Sequence, residues 1–212
     1  MVVVKVFFEG GSDPRDKSNA ATVDNTPRLR ESFNKLLNSG FEEEKVRIHA
    51  EPAYSIYSAV KIRESNSLLL IDLDGTKDKK VQRFNDSQLT DIQVFVFFMV
   101  QMMEAWILSQ PEVIEEVFKY YKVGKLLVKD DEKILNKDLE KIAKPDDVLH
   151  IILGRYFVIE KAGKKKKLKY KHNGKLKYSP DLIENLDIHK LKNTFEDVEL
   201  LINKINELSL IK

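Results

Sequence analysis

The chain has 212 residues, of which 42% are hydrophobic and 33% are charged. This composition supports one large domain, or a core domain with an appendage, and it excludes a chain that is disordered by composition. The net charge is only +2, so the overall charge does not indicate a nucleic-acid-binding protein. The chain has no cysteine, which excludes disulfides, thiolate zinc sites and a cysteine nucleophile.

The first half of the chain alternates strand-like and helix-like segments. Val2–Phe8 is β-branched and aromatic, which is typical of a strand buried on both faces of a parallel sheet. Further along, the patterns predict a helix over Pro27–Asn38, a strand over Val46–His49, a helix over Tyr54–Arg63, strands over Ser67–Leu73 and Val94–Val100 around a loop, and helices over Met103–Leu108 and Pro111–Tyr121. Periodicity alone also allows a buried helix at Val94–Val100. This order predicts an α/β fold, with a mostly parallel, Rossmann-like sheet flanked by helices.

The composition changes after about Gly124. We therefore predict an α/β core over residues 1–124 and a mixed, mainly helical C-terminal extension over residues 125–212. The extension is expected to contain, in order, a charged loop with a short helix at Lys125–Lys144, an apolar packing segment at Asp146–Phe157, a lysine-rich loop, and terminal helices over Leu182–Leu210.

Neither of the most apolar segments has the features of an export signal or a membrane span. Val2–Phe8 is preceded by no basic segment and followed by no small-residue cleavage site. Val94–Val100 is much shorter than the roughly 18 residues that a membrane-spanning helix needs. We therefore expect a cytoplasmic protein without a membrane partner. The sequence has no P-loop, so any ATP dependence must come from a partner protein.

Acidic residues close two of the predicted strands. Glu9 follows the first strand, and Asp72 and Asp74 close the third. The carboxyl ends of parallel strands meet at one edge of an open sheet, where ligands bind near the point at which the strand order reverses. Carboxylate oxygens are the ligands that Mg²⁺ prefers. We predict that the three residues converge on one divalent metal ion, although each of them alone is also typical of a cap or an Asx turn.

These residues resemble a known family. A hydrophobic strand ending in Glu9-Gly10, followed by a later strand ending in Asp72-Leu73-Asp74, resembles the toprim domain of topoisomerases, primases and overcoming-lysogenization-defect (OLD) nucleases. Asp13 is similar to the second acidic residue of the nuclease variant. Val100–Trp106 (VQMMEAW) and Arg30–Phe33 (RESF) resemble segments of an uncharacterised prokaryotic toprim-like family that is often encoded beside ABC-type ATPases.

The resemblance covers residues 1 to about 121 and implies a toprim-like fold with Mg²⁺- or Mn²⁺-dependent phosphodiester chemistry. Asp72 and Asp74 would hold metal, Glu9 would bind metal or act as the general base, and Asp13 would assist a second ion. Glu104 either reaches the same edge as a further metal ligand or is a solvated acid in the first turn of a helix. The implied protein is a nuclease of DNA or RNA that serves as the effector of a prokaryotic defence system with an ATPase partner.

A lysine-rich tract lies in the predicted extension. Residues 161–177 contain nine lysines and no acidic residue, interleaved with Tyr170, His172 and Tyr178. Such a tract can contact phosphates through salt-sensitive Coulombic attraction, or it can be a solvated hairpin tip or loop. Beside a nuclease site we favour phosphate contact, and the candidate nucleic-acid-binding residues are Lys164, Lys165, Lys166, Lys167, Lys169 and Lys171.

Two other functions remain open. Leu70–Thr76 (LIDLDGT) also matches the first motif of haloacid-dehalogenase phosphatases, in which Asp72 would be the nucleophile and Asp74 the acid/base. That family needs an acidic pair after a later strand, whereas Asp146-Asp147 precedes its apolar segment. The other alternative is a non-catalytic subunit with a toprim fold that binds nucleic acid or an ATPase.

Overall fold

The computed structural model describes residues 1–9, 26–43, 45–53, 62, 67–161, 163–171 and 173–210. Within them a four-stranded, fully parallel sheet has the order β2-β1-β3-β4. Its strands are β1 (Val2–Glu9), β2 (Val46–Ala53), β3 (Leu68–Asp72) and β4 (Val96–Met99). The predicted α/β fold with a parallel sheet is confirmed, and Val94–Val100 contains a strand rather than a buried helix.

Helices cover the sheet and make up most of the second half of the chain. They are α1 (Thr26–Asn38), α2 (Lys80–Asp86), α3 (Met103–Leu108), α4 (Pro111–Val117), α5 (Pro145–Tyr156), α6 (Asn173–Glu184), α7 (Ile188–Thr194) and α8 (Glu196–Leu210). The helix predicted over Tyr54–Arg63 lies outside the described residues except for Ile62. The loop predicted between β3 and β4 is wrong, because α2 lies there. None of the residues of α2 is buried, so its sequence has no apolar stripe that predicts a helix.

The two faces of the sheet bury different sets of side chains because successive strand residues point in opposite directions. Phe8, Leu70 and Phe97 belong to the larger hydrophobic cluster, in which the ring of Phe8 stacks on Phe33 of α1 at 4.3 Å between centroids. Their neighbours along the strands, Phe7, Leu69 and Phe98, belong to the smaller cluster on the other face, which also contains Ile92 from the segment before β4. This burial on both faces explains the nearly continuous apolar sequence of the strands.

The C-terminal extension belongs to the same core as the sheet. Buried side chains of the larger cluster run without a break from β1 to Tyr170, Phe195 and Ile205, so the predicted boundary at residue 124 does not separate two cores. The predicted helical stretch Leu182–Leu210 is divided into the end of α6, α7 and α8. The division occurs where the Asp187 side chain caps α7 and where Phe195 adopts an extended backbone.

Side chains cover the outer backbone groups of both edge strands. At β2, the Asn38 amide donates to the Ile48 carbonyl (2.9 Å) and accepts the Ile48 N–H (2.8 Å), while Asn34 accepts the Ala50 N–H. At β4, the Phe98 N–H donates to Asp197 Oδ1 at 3.1 Å. These bonds satisfy donors that an edge strand would otherwise offer to another chain.

In the part of the chain that is described, no helix is both long enough and apolar enough to cross a membrane.

Candidate metal centre and nucleic-acid surface

The carboxyl edge of the sheet brings the ends of β1 and β3 together. The two strands are parallel neighbours, with Phe8 paired to Leu70. Glu9 is the next residue of β1, and Asp72 is the last residue of β3. The order β2-β1-β3-β4 reverses direction between these strands, which is where ligands bind in open α/β sheets. The backbone of Glu9 and that of Asp72 therefore lie at the same end of the sheet.

Asp72 is half-buried and is held by the first residue of α3. The Met103 N–H donates to Asp72 Oδ1 at 2.9 Å, and the residue before the helix, Met102, makes no capping bond with its own side chain. Asp72 thus satisfies a helix N-terminal donor from a neighbouring strand. Its carboxylate has a fixed orientation before any ligand binds.

Asp74 lies beyond the end of β3 in a different environment. It is exposed, with a left-handed φ of 53°, and its N–H donates to the Gln101 carbonyl at 2.8 Å. Gln101 also has a left-handed φ, 63°, and its N–H donates to the Gly75 carbonyl. Because β3 ends at Asp72 and Asp74 has a left-handed φ, the alternation of side chains along the strand does not extend to Asp74.

Glu104 is fully buried in a hydrogen-bonded network under the same edge. The Tyr170 hydroxyl donates to Glu104 Oε1 at 2.9 Å and lies 2.7 Å from the Ser179 hydroxyl. Because the Tyr170 proton is given to Glu104, Ser179 is the donor in the second bond. The alternative that Glu104 is a solvated first-turn acid is wrong, since none of its surface is exposed.

Burial raises the pKa of the Tyr170 phenol well above 10.0, and the negative charges of Glu104 and Asp72 raise it further. The phenol is therefore a proton donor at neutral pH. Tyr170, from the C-terminal extension, lies near the acidic edge, because it bonds Glu104, and the preceding residue Met103 donates its N–H to Asp72. The network links the sheet edge to the segment that follows the lysine-rich strand.

The metal prediction depends partly on residues that are not described. Asp13 lies outside the described residues, and Glu9 is described only through its backbone. Among the side chains that are described, no three His, Asp or Glu residues form a group that could hold a metal ion. Asp72, Asp74 and Glu104 alone are thus an incomplete ligand set, and the convergence of Glu9 and Asp13 with them stays a prediction.

The first part of the lysine-rich tract lies in a β-hairpin, and its last five residues begin α6. The strands of the hairpin are β5 (Val158–Lys161) and β6 (Lys164–Lys167), paired antiparallel, and all four lysines of β6 are exposed. Lys169 is exposed as well. Lys171 differs, because its ammonium pairs with Asp146 (3.3 Å) and with Asp147, which raise the pKa of Lys171. It is the least suitable of the six candidate lysines for binding phosphate.

Sequence reasoning missed the anchor that holds this hairpin. Tyr170 is completely buried, although the residues on either side of it in the sequence are lysines. The backbone N–H groups of Tyr170 and Lys171 both donate to His150 Nδ1 in α5, at 3.1 and 3.2 Å. The alternation of Leu168 (buried), Lys169 (exposed) and Tyr170 (buried) is a two-residue pattern that could have predicted an inward-facing Tyr170. Trp106, at the end of the VQMMEAW segment, is buried in the core.

Comparison with known proteins places the chain in a family. A family model described as "Domain of unknown function (DUF4276)" matches residues 17–206, which include β2, β3, β4 and most of the C-terminal helices. Strand β1 and the candidate residues Glu9 and Asp13 lie outside the match. The chain belongs to this family. Neither a curated protein nor a solved structure matches the chain significantly. The match covers part of the predicted core and most of the predicted extension, and it assigns no activity.

Proposed function

We propose that the protein is a divalent-metal-dependent nuclease with a toprim-like core, which hydrolyses phosphodiester bonds of DNA or RNA. The observation that carries the proposal is the order of the strands. β1 and β3 are parallel neighbours at the point where the strand order reverses, and each ends in an acidic residue, Glu9 and Asp72. Hard cations are bound by carboxylate oxygens, and open α/β sheets bind ligands at this edge.

The donor set suits Mg²⁺ or Mn²⁺. Asp72 and Glu9 would hold the ion, with Asp74 from its exposed turn, and Asp13 would serve a second ion. The Met103 N–H that donates to Asp72 acts as the outer hydrogen bond that orients a ligating carboxylate. When bound, the ion stabilises negative charge on the phosphate and lowers the pKa of the attacking water. Glu9 is the candidate general base.

We assign Glu104 to support of the site and not to the metal. Its carboxylate is buried and accepts the Tyr170 hydroxyl proton. Glu104 follows Met103, whose N–H holds Asp72, so the Tyr170 bond fixes the first turn of α3 beneath the site. The exposed lysines of β6 would bind substrate phosphates. A defence role with an ABC-type ATPase partner is proposed from the toprim resemblance.

The test is cleavage of plasmid DNA, single-stranded DNA and total tRNA, with Mg²⁺, with Mn²⁺ and with EDTA, in the presence and absence of a neighbouring ATPase. We expect metal-dependent cleavage that is lost in Asp72→Asn. The control is Asp86→Asn, which neutralises an exposed acid on α2 and should cleave like the wild type. Cleavage that survives in Asp72→Asn, or no cleavage under any condition, would contradict the proposal and favour a non-catalytic binding subunit.

A further inference from the structure

A groove of 360 Å³ lies along the lysine hairpin. One wall contains Tyr120 and Tyr121, and the other contains Val158, Glu160 and Lys165. The two walls are joined by backbone pairing, because the Val123 N–H donates to the Tyr156 carbonyl at 2.8 Å. The tyrosine-bearing turn is therefore fixed against the start of β5.

The first wall presents aromatic rings to solvent. Tyr120 is 87% exposed and Tyr121 is 44% exposed, although both are large enough to be buried in a core. They lie on the short helical turn Lys119–Tyr121, and the Lys119 ammonium lies 5.4 Å from the centre of the Tyr120 ring. Exposed neighbouring aromatic rings beside basic residues are typical of surfaces on which nucleic-acid bases stack.

The second wall carries two lysines of β6 on the face of the hairpin that lines the groove. Residues paired directly across an antiparallel hairpin share a face, so Lys165 and Lys167 lie on the face of Val158 and Glu160. Lys164 and Lys166 lie on the opposite face of the same strand. Within the described part of the chain none of these four ammonium groups is in an ion pair, and Glu160 is the acidic residue that lines the groove.

We propose that this groove binds single-stranded nucleic acid, with bases stacked on Tyr120 and Tyr121 and phosphates on Lys165 and Lys167. The inference rests on the proposed nuclease function, for which it names the substrate class. A nucleotide carries its phosphate and its base on different sides of the sugar, which matches a groove with one basic and one aromatic wall. A duplex keeps the faces of its bases stacked on one another, so only unpaired bases can stack on tyrosine rings.

The binding experiment uses the full chain in EDTA and a labelled single-stranded oligonucleotide of mixed sequence, followed by fluorescence anisotropy. The same strand annealed as a duplex, and an abasic strand of equal length, are the comparison probes. We expect the single strand to bind more tightly than both. The Tyr120→Ala/Tyr121→Ala variant should bind the single strand roughly tenfold or more weakly, with unchanged affinity for the abasic strand. Tyr120→Phe/Tyr121→Phe keeps the rings and should bind like the wild type.

The strand alternation of β6 provides a matched pair of charge variants. Lys165→Ala/Lys167→Ala and Lys164→Ala/Lys166→Ala remove the same charge from the same strand, on opposite faces. The first variant should lose several times more affinity for the single strand than the second. Urea unfolding of each variant checks that the fold is retained.

Equal losses in the two lysine variants, equal binding of normal and abasic strands, tighter binding of the duplex, or no binding of the single strand would each overturn the inference. Failure of the nuclease proposal is distinguishable, because binding is measured without metal. Tyrosine-dependent binding in a protein that never cleaves rejects catalysis alone. Metal-dependent cleavage with tyrosine-independent binding rejects the groove alone.

Discussion

The acidic residues around the sheet edge lie in three different environments. Asp72 is half-buried and accepts a helix N–H, Asp74 is exposed on a left-handed turn, and Glu104 is fully buried against Tyr170. The positions of these residues in the sequence predict that they lie near one another, but they do not distinguish the three environments. At the scale of single residues, each environment leads to a different expected effect of substitution.

Two substitutions of Asp72 distinguish the effect of its charge from the effect of its hydrogen bond. Asp72→Asn keeps an oxygen that can accept the Met103 N–H, so we expect little change in the free energy of unfolding without metal. Asp72→Ala removes the acceptor and should reduce that free energy by about 1–3 kcal/mol. Both variants should lose metal-dependent cleavage, because neither offers an anionic ligand. Urea unfolding in EDTA measures the first effect and the cleavage assay measures the second.

An Asp72→Asn protein that is strongly destabilised but still cleaves would make Asp72 a structural residue. The exposed Asp74 serves as the matched control for stability. Asp74→Asn should change the free energy of unfolding by less than about 0.5 kcal/mol, since exposed substitutions seldom do more.

Tyr170 gives a prediction about pH. Its folded-state pKa is raised above the ordinary 10.0, so the folded protein holds the phenol proton more tightly than the unfolded chain. The resulting stabilisation is complete below pH 10 and is lost as pH rises from 10 towards the folded pKa. Tyr170→Phe should be about 1–3 kcal/mol less stable at pH 8, because Glu104 and Ser179 lose their partner. The difference should shrink by about 1.4 kcal/mol per pH unit above 10.

Urea titrations of the wild type and Tyr170→Phe at pH 8 and at alkaline pH check this expectation. The difference between the two proteins isolates Tyr170 from the other tyrosines, including Tyr156, whose pKa is raised by burial and by Asp131. A difference that stays constant with pH would mean that the Tyr170 phenol ionises alike in both states.

At the scale of elements, side chains bond the outer backbone groups of both edge strands, where a further strand would otherwise pair. Asn38 uses both its donor and its acceptor on Ile48 of β2, and Asp197 of α8 accepts the Phe98 N–H of β4. Asp197 also pairs with Lys80 at 2.5 Å, so α2, α8 and β4 are tied at one carboxylate. Such caps limit strand addition at both edges.

Asn38→Ala should expose the edge of β2. We expect a loss of about 1–3 kcal/mol in the free energy of unfolding and more light scattering on incubation, because Ile48 loses partners for both its N–H and its carbonyl. Asn193→Ala on the exposed surface of α7 is the matched control and should leave both measurements nearly unchanged. An Asn38→Ala protein with wild-type stability and scattering would show that the cap contributes nothing measurable.

At the scale of the whole molecule, charge is distributed unevenly although the net charge is only +2. Four exposed lysines follow one another along β6, while Lys171 is paired with Asp146 and Asp147 at the base of the hairpin. A local basic strand of this kind attracts polyanions at short range even when the protein as a whole is almost neutral.

Replacing Lys164, Lys165, Lys166 and Lys167 with alanine together should weaken nucleic-acid binding and flatten its dependence on salt. Each lost phosphate contact should reduce the log–log salt slope by about 0.7 for a single strand. The side chains are exposed, so the thermal unfolding should stay close to that of the wild type. Alanine at Lys129, Lys137 and Lys144 removes exposed charges elsewhere and serves as the control. An unchanged slope across a salt titration would make the hairpin a solvated element without a binding role.

The sequence by itself determined the parallel α/β core. Strands buried on both faces are continuously apolar, and an amphipathic helix such as α1 has a regular apolar stripe, so local patterns suffice to find them. The same patterns place Glu9 and Asp72 at strand ends, and the parallel pairing of β1 with β3 puts both strand ends at one edge of the sheet. Helix α2 was not predicted because it is short and none of its residues is fully buried, although Phe84 packs against the smaller cluster.

Tertiary structure alone decided which polar residues are buried and what they contact. Phe98 and Asp197 are far apart in the sequence, as are Glu104 and Tyr170, yet each pair forms a hydrogen bond in the folded chain. Local periodicity carries no information about such partners, because a buried polar side chain is stabilised only by the specific donor or acceptor that folding brings to it. The groove beside β6 has the same origin, since the backbone pairing of residues 122–123 with residues 156–157 brings its tyrosines beside the lysine hairpin.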